Sequence, residues 1–250
     1  MIGHRGAAAC APENTLAGFR RARALNCDWV ELDVRLTADG QPILLHDNRL
    51  ERTTNGRGKV SSMSLAAIRR HSAGAWFGPS YAAERVPTLS EALALLADLG
   101  LGGNIELKAV WGRRGETGRR VADLLLQLLP SQMPSLLISS FQPAVLAAAG
   151  ACPPGIARGI LFRSIPKRWR TVAEKLGCTT IHAEHRRLSP AVVADVRAAG
   201  YPLLAYTVND PARASTLFAW GVTSVFSDDP QSLSEVAAQG DPPAPIRSVL

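Results

Sequence analysis

Glu31 and Asp33 stand two residues apart in the run Trp29-Val30-Glu31-Leu32-Asp33-Val34. Side chains two apart in a strand share a face, so both carboxylates leave an otherwise apolar segment on the same side. Two like charges repel, and burying them unpaired is costly. A hard divalent cation, Mg²⁺ or Ca²⁺, relieves both problems. A half-exposed strand with solvated acids has the same local pattern, so the other polar residues at apolar runs decide the reading. Glu106 and Lys108 share one face of Asn104-Ile105-Glu106-Leu107-Lys108. His4 and Arg5 close the first short apolar run, and Ser139, His182, Thr207 and Asn209 lie within or just past later ones. Three carboxylates can hold one cation, His4 and His46 can serve as acid and base, and Arg5 and Lys108 suit an anionic phosphate. Breaking a phosphodiester needs charge neutralisation, a deprotonated nucleophile and a protonated leaving oxygen. This set supplies each.

Something must bring these residues together. Short apolar segments alternate with helical ones along the chain. Pro12-Glu13-Asn14-Thr15 opens a helix to about Asn26, with Leu16, Phe19, Ala22 and Leu25 as its apolar stripe. Asp39-Gly40, between the second strand and Pro42-Ile43-Leu44-Leu45-His46-Asp47, is a hairpin signal. The return is therefore antiparallel, because a parallel neighbour needs a crossover of about a dozen residues. Pairing sums of about 77 set His46 roughly opposite Glu31. Residues 48 to about 86 form an irregular insert, and Thr88 with Glu91 caps the helix that follows. Strands then recur at Asn104–Lys108, Leu136–Ser140, within Ile156–Phe162, at Thr180–His182, Pro202–Thr207 and Ser224–Ser227. Helices follow each, at 143–149, 167–177, 190–199, 211–220 and 231–238 after one ending near Leu129.

Eight strands, each followed by a helix, predict an α/β single-domain (β/α)₈ TIM barrel over residues 1–240, with the insert after the second strand. Residues 241–250 read as a loose proline-rich tail. A doubly wound open sheet is the alternative, but His4-Arg5-Gly6-Ala7 is not its phosphate-loop fingerprint. In a barrel, the strand C-termini carry the site.

Composition sets outer bounds. The chain has 250 residues, 46% hydrophobic and 20% charged, with a net charge of +7. No apolar run reaches the length of a membrane span, and the N-terminus lacks a secretory layout, which predicts a cytoplasmic protein without stable membrane association. Four scattered cysteines, with no C-x-x-C pair, read as reduced thiols. The positive charge favours an anionic ligand. The arginines are dispersed and no nucleic-acid motif accompanies them, so no nucleic-acid partner is expected. The oligomeric state is open.

The ordered motifs resemble those of the glycerophosphodiester phosphodiesterases. They are His4-Arg5-Gly6, Pro12-Glu13-Asn14-Thr15, Glu31-Leu32-Asp33-Val34, Thr37-Ala38-Asp39-Gly40, His46-Asp47 and Glu106-Leu107-Lys108. The likeness continues through Arg52-Thr53-Thr54-Asn55-Gly56, Pro87-Thr88-Leu89, Ser139-Ser140-Phe141, Thr207-Val208-Asn209 and Phe226-Ser227-Asp228. Leu204 to Arg213 and Trp220-Gly221-Val222 resemble the cytoplasmic bacterial branch. The resemblance implies that Glu31, Asp33 and Glu106 bind one divalent cation, Mg²⁺ or Ca²⁺. It implies His4 and His46 as general acid and base, without saying which is which, and Arg5 and Lys108 on the phosphate. The implied reaction is metal-dependent hydrolysis of small glycerophosphodiesters to sn-glycerol 3-phosphate and an alcohol. A lysophospholipase D or a cyclising phospholipase on a lipid headgroup is the alternative, and a non-catalytic barrel a third reading. Tyr206 stands where many members have Trp, and Glu184 replaces an amide.

Overall fold

In a computed structural model, residues 1–128, 135–234 and 236 are described. Eight parallel strands close a barrel: β1 (Ile2–Gly3), β2 (Trp29–Leu36), β4 (Gly102–Leu107), β5 (Leu136–Ser140), β6 (Ala157–Phe162), β7 (Thr180–Glu184), β8 (Leu203–Tyr206) and β9 (Ser224–Ser227). β1 completes the ring by pairing with both β2 and β9. The ninth strand, β3 (Pro42–Leu44), returns antiparallel on β2, with Val34 opposite Leu44 and Leu36 opposite Pro42. That register is one residue away from the expected sum, because the turn runs from Thr37 to Gln41 and closes on the Thr37 hydroxyl.

Helices α1 (Leu16–Ala24), α3 (Leu89–Leu99), α4 (Arg114–Leu128), α5 (Pro143–Ala148), α6 (Trp169–Lys175), α7 (Pro190–Ala198) and α8 (Pro211–Ala219) follow the strands. The short α2 (Leu65–Ile68) lies between β3 and α3. Caps fix several starts. Thr88 and Glu91 form a reciprocal box at α3, Ser189 accepts from Val192 N–H at α7, and Asp210 accepts from Ala212 N–H at α8. α1 begins four residues later than Pro12, because Asn14 takes a left-handed φ of 55° and Thr15 becomes the cap. Of the expected helix at 231–238, Gln231 to Leu233 form a turn, while residues 235, 237 and 238 lie outside the described residues, as does the tail at 241–250.

The outward faces of the strands carry Val30, Leu32, Val34, Ile105 and Ile138, which join Phe19, Leu93, Leu96 and Leu125 of the helices in the main core. Ile2, Trp29, Leu137, Ala157, Leu204 and Phe226 form a separate cluster that plugs the barrel interior. His182 is fully buried, its ring centroid 5.4 Å from that of Phe226. Gly159 opposite must be glycine, since a Cβ there would stand 2.6 Å from His182 Nε2. The insert has its own small core of Ile43, Leu45, Leu50, Val60, Ile68, Ala73 and Val86. That core lets a stretch with little regular structure hold a fixed shape beside the barrel mouth.

Candidate active site

The β2–β4 register sets Asp33 opposite Glu106 and Glu31 opposite Asn104. Carboxylate oxygens of Glu31, Asp33 and Glu106 all lie within 4.8 Å of one another, and all three residues are buried. The strand alternation that keeps Leu32 in the outer core turns the acids into the barrel.

Two residues with left-handed backbone hold this cluster. Arg5 has φ 51°, and its N–H donates to Glu31 Oε2 at 2.9 Å. Its guanidinium reaches Glu13 at 2.9 Å and Asp33 at 3.2 Å. Asn14 clasps Asp33 from both sides, donating from Nδ2 to Oδ2 at 2.8 Å and accepting the Asp33 N–H at 3.0 Å. Its φ of 55° makes that two-sided grip possible, a conformation asparagine tolerates better than most residues. Lys108 completes the set, with Nζ 2.8 Å from Glu106 and 3.3 Å from Asp33.

The three acids are not electrostatically equal. Burial would raise Asp33, but the Lys108 and Arg5 cations hold it well below the usual carboxylate range. Burial raises Glu31 far above that range, and the neighbouring Asp33 and Glu106 charges add to the rise. Glu106 rises too, from burial and from Asp33, with Lys108 opposing. Glu31 Oε1 is buried and accepts no hydrogen bond from the described residues. Hard, crowded oxygens with an unsatisfied lone pair form a donor set that fits one divalent cation.

Two imidazoles stand beside this cluster, each backed by a carboxylate. His4 Nδ1 is 2.6 Å from Asp228 Oδ1, and its Nε2 is 3.8 Å from Glu31 Oε2. Asn209 donates to the second Asp228 oxygen at 2.9 Å. His46 Nδ1 is 2.6 Å from Asp47 Oδ1. Arg52 donates to Asp47 at 2.7 Å and to Glu13 at 2.7 and 2.8 Å, and so ties the insert to the loop after β1. Arg52, with His46 behind it, lowers Asp47 to about 2. Burial lowers His46 below 6.5, with the Asp33 charge opposing. A carboxylate on Nδ1 makes that nitrogen the N–H donor and leaves Nε2 with the lone pair.

All seven residues singled out in the sequence meet here: His4, Arg5, Glu31, Asp33, His46, Glu106 and Lys108. Six of them line a cleft of about 720 Å³ directly, and Asp33 lies behind them. His182 does not reach the cleft; it is packed beneath it. Sequence reasoning gave no role to Asp228, Asp47, Glu13 or Arg52. Each lies inside a quoted motif, and the polar residue after a strand end was the usable signal for Asp228 and Asp47. Asn104, which also lines the cleft, was passed over as a strand residue.

A family model for the glycerophosphoryl diester phosphodiesterase family matches residues 4–232. The chain belongs to that family. A glycerophosphodiester phosphodiesterase of Caldanaerobacter subterraneus is 32% identical, over 96% of this chain and 98% of its own. A glycerophosphodiester phosphodiesterase of Bacillus subtilis is 32% identical, over 94% of this chain and 85% of its own. Among solved structures, an Oleispira antarctica phosphodiesterase in complex with the product sn-glycerol-3-phosphate superposes with a TM-score of 0.91, at 39% identity, covering 95% of this chain and 96% of that one. The chain is thus a phosphoric diester hydrolase on a (β/α)₈ barrel, acting on small glycerophosphodiesters. No described helix is long and apolar enough to cross a membrane.

Proposed function

We propose that this phosphodiesterase cleaves glycerophosphodiesters to sn-glycerol 3-phosphate and an alcohol in a reaction that depends on one divalent cation. The observation that carries the reading is the pair of imidazoles, each with a carboxylate 2.6 Å from Nδ1, beside three clustered acids. Glu31, Asp33 and Glu106 would hold the cation, with Mg²⁺ and Ca²⁺ both suited to oxygen ligands. When bound, the cation supplies charge neutralisation for the phosphate oxygens.

The rest of the work falls to side chains of this chain. Arg5 and Lys108 keep their charge beside Asp33 and orient the phosphate by charge-assisted hydrogen bonds. His46 is the general base. Its carboxylate is shared with Arg52, and burial keeps its ring neutral, so Nε2 can accept a proton from the nucleophile. His4 is the general acid. Carboxylate oxygens face both of its nitrogens, and among the described residues no lysine or arginine forms an ion pair with Asp228, a setting that suits the donor to the leaving oxygen. Asn14, Glu13 and Arg52 position these groups.

The test is release of sn-glycerol 3-phosphate from glycerophosphoglycerol and glycerophosphocholine, before and after EDTA. Turnover that stops on chelation and returns with Mg²⁺ or Ca²⁺ is expected. Turnover indifferent to EDTA would remove the cation from the reading, and turnover only of lysophospholipids would favour the lipid alternative.

A further inference from the structure

The half of the barrel mouth away from the acidic cluster is strongly basic. From β1, which ends beside His4, the ring passes through β9, β8 and β7 to β6. That arc brings Thr207, Tyr206, Glu184, Arg186, Arg187 and Arg163 to the cleft wall. Glu184 is the one acid among them, and its carboxylate is 3.6 Å from Arg187 Nε. Arg163 and Arg186 form no ion pair among the described residues, and both are exposed to solvent. His185 brings no acid to the wall, and burial with the nearby Arg213 and Arg186 disfavours its own protonation. Two guanidinium charges are left facing the cleft without an acid.

We propose that this wall selects diesters whose leaving alcohol itself carries an anion, a carboxylate or a phosphate monoester. The inference rests on the function proposed above and adds the class of substrate. His4, the proton donor to the leaving oxygen, is the reacting group next to this arc, so the alcohol arm points along it. A glycerol arm offers only neutral hydroxyls, for which uncompensated arginines are a poor match. A choline or ethanolamine arm carries a cation, which the same arginines repel. The aromatic residues do not rescue a cation here. Phe141 and Tyr206 meet edge to face, with ring centroids 5.8 Å apart, and the Tyr206 hydroxyl is spent on the Phe162 carbonyl at 2.8 Å. Two rings so arranged form no cage around an ammonium group. Guanidinium forks, by contrast, match carboxylate and phosphate oxygens in geometry as well as charge.

The experiment compares kcat/KM at low salt for glycerophosphocholine, glycerophosphoglycerol, glycerophosphoinositol, the glycerate diester and glycerophosphoinositol 4-phosphate. The anionic members are expected to exceed their size-matched neutral partners by about tenfold, and about 0.5 M sodium chloride should shrink the gap. The glycerate and inositol phosphate arms tell a carboxylate preference from a phosphate one. In R163A/R186A/R187A the anionic-to-neutral ratio should fall towards one. In R186E/R187E glycerophosphocholine should gain kcat/KM over the parent, a gain that misfolding cannot produce. Equal turnover of anionic and neutral diesters by the parent, or a ratio untouched by the triple variant, would overturn the proposal. Turnover of none of these diesters would instead remove the reaction on which it rests.

Discussion

Replacing Asp47 with Asn tests the proposed role of His46 as the general base. Asp47 lies 2.6 Å from His46 Nδ1 and accepts from Arg52 Nε at 2.7 Å and from a terminal Arg52 nitrogen at 3.2 Å. An amide keeps one acceptor oxygen and turns the other into an NH2 donor, which must then face either Arg52 Nε or His46 Nδ1, both of which need an acceptor. Arg52 stays anchored, because Glu13 still accepts from it twice. Wherever the amide nitrogen faces Nδ1, the ring proton moves to Nε2 and the base is lost. A positioned base contributes about 10²–10⁴-fold. The Asp47 side chain is 31% exposed, so water replaces part of what it does, and the lower end applies: about 10²-fold in kcat, or about 2.7 kcal/mol. The pH profile carries a separate sign. A base works only when neutral, so the acidic limb of kcat/KM falls as pH drops through the His46 pKa. Burial sets that pKa below 6.5, while the Asp33 charge and the Asp47 hydrogen bond oppose burial. D47N removes one opposing contribution, so the limb should move to lower pH while the plateau drops. The assay is steady-state release of glycerol 3-phosphate from about pH 4.5 to 8.5, with circular dichroism to establish folding. A folded D47N enzyme with parental kcat, or a limb displaced to higher pH, would refute the reasoning.

Asp228→Asn should cost about 10- to 10²-fold in kcat by the same orienting logic at His4, while divalent-cation affinity measured by calorimetry stays unchanged. Equal losses in cation affinity and kcat would mean that Asp228 acts through the acidic cluster. Stability should fall on acidification partly through His182, which burial lowers to about 3. The unfolded chain takes up a proton from about pH 6.5 downward, and the folded one does not until about pH 3. The difference in urea stability between the parent and H182Q should therefore grow against the parent between those limits, by at most about 1.4 kcal/mol per pH unit. A pH-independent difference would show that the ring is hydrated in the folded state.

Much of the barrel was legible because each strand is an apolar run bounded by a cap or a turn residue, as at Thr88-Leu89, Ser189-Pro190 and Asp210-Pro211. The acidic cluster was legible for the same reason: two-residue spacing on two neighbouring strands fixes which way Glu31, Asp33 and Glu106 face. What the sequence hid depends on backbone conformation or on distant partners. The late start of α1 follows from the left-handed Asn14, whose side chain leaves the helix to hold Asp33. The hairpin register slipped by one because turn details, invisible in residue types alone, set the pairing. Asp228 is 224 residues from His4, and Glu13 is 39 from Arg52, so no local pattern announces either pair. His182 carries a functional residue type at the right strand but sits below the cleft, where burial makes it part of the core.

Everything proposed for the reaction depends on one cation sitting among three acids from β2 and β4. Crystals grown with Mn²⁺, measured at the manganese edge, test this most directly. The expected result is a single anomalous peak bonded to carboxylate oxygens of Glu31, Asp33 and Glu106, lost in E31Q. A fully occupied ion elsewhere, with that cluster still paired only to Arg5 and Lys108, would contradict it.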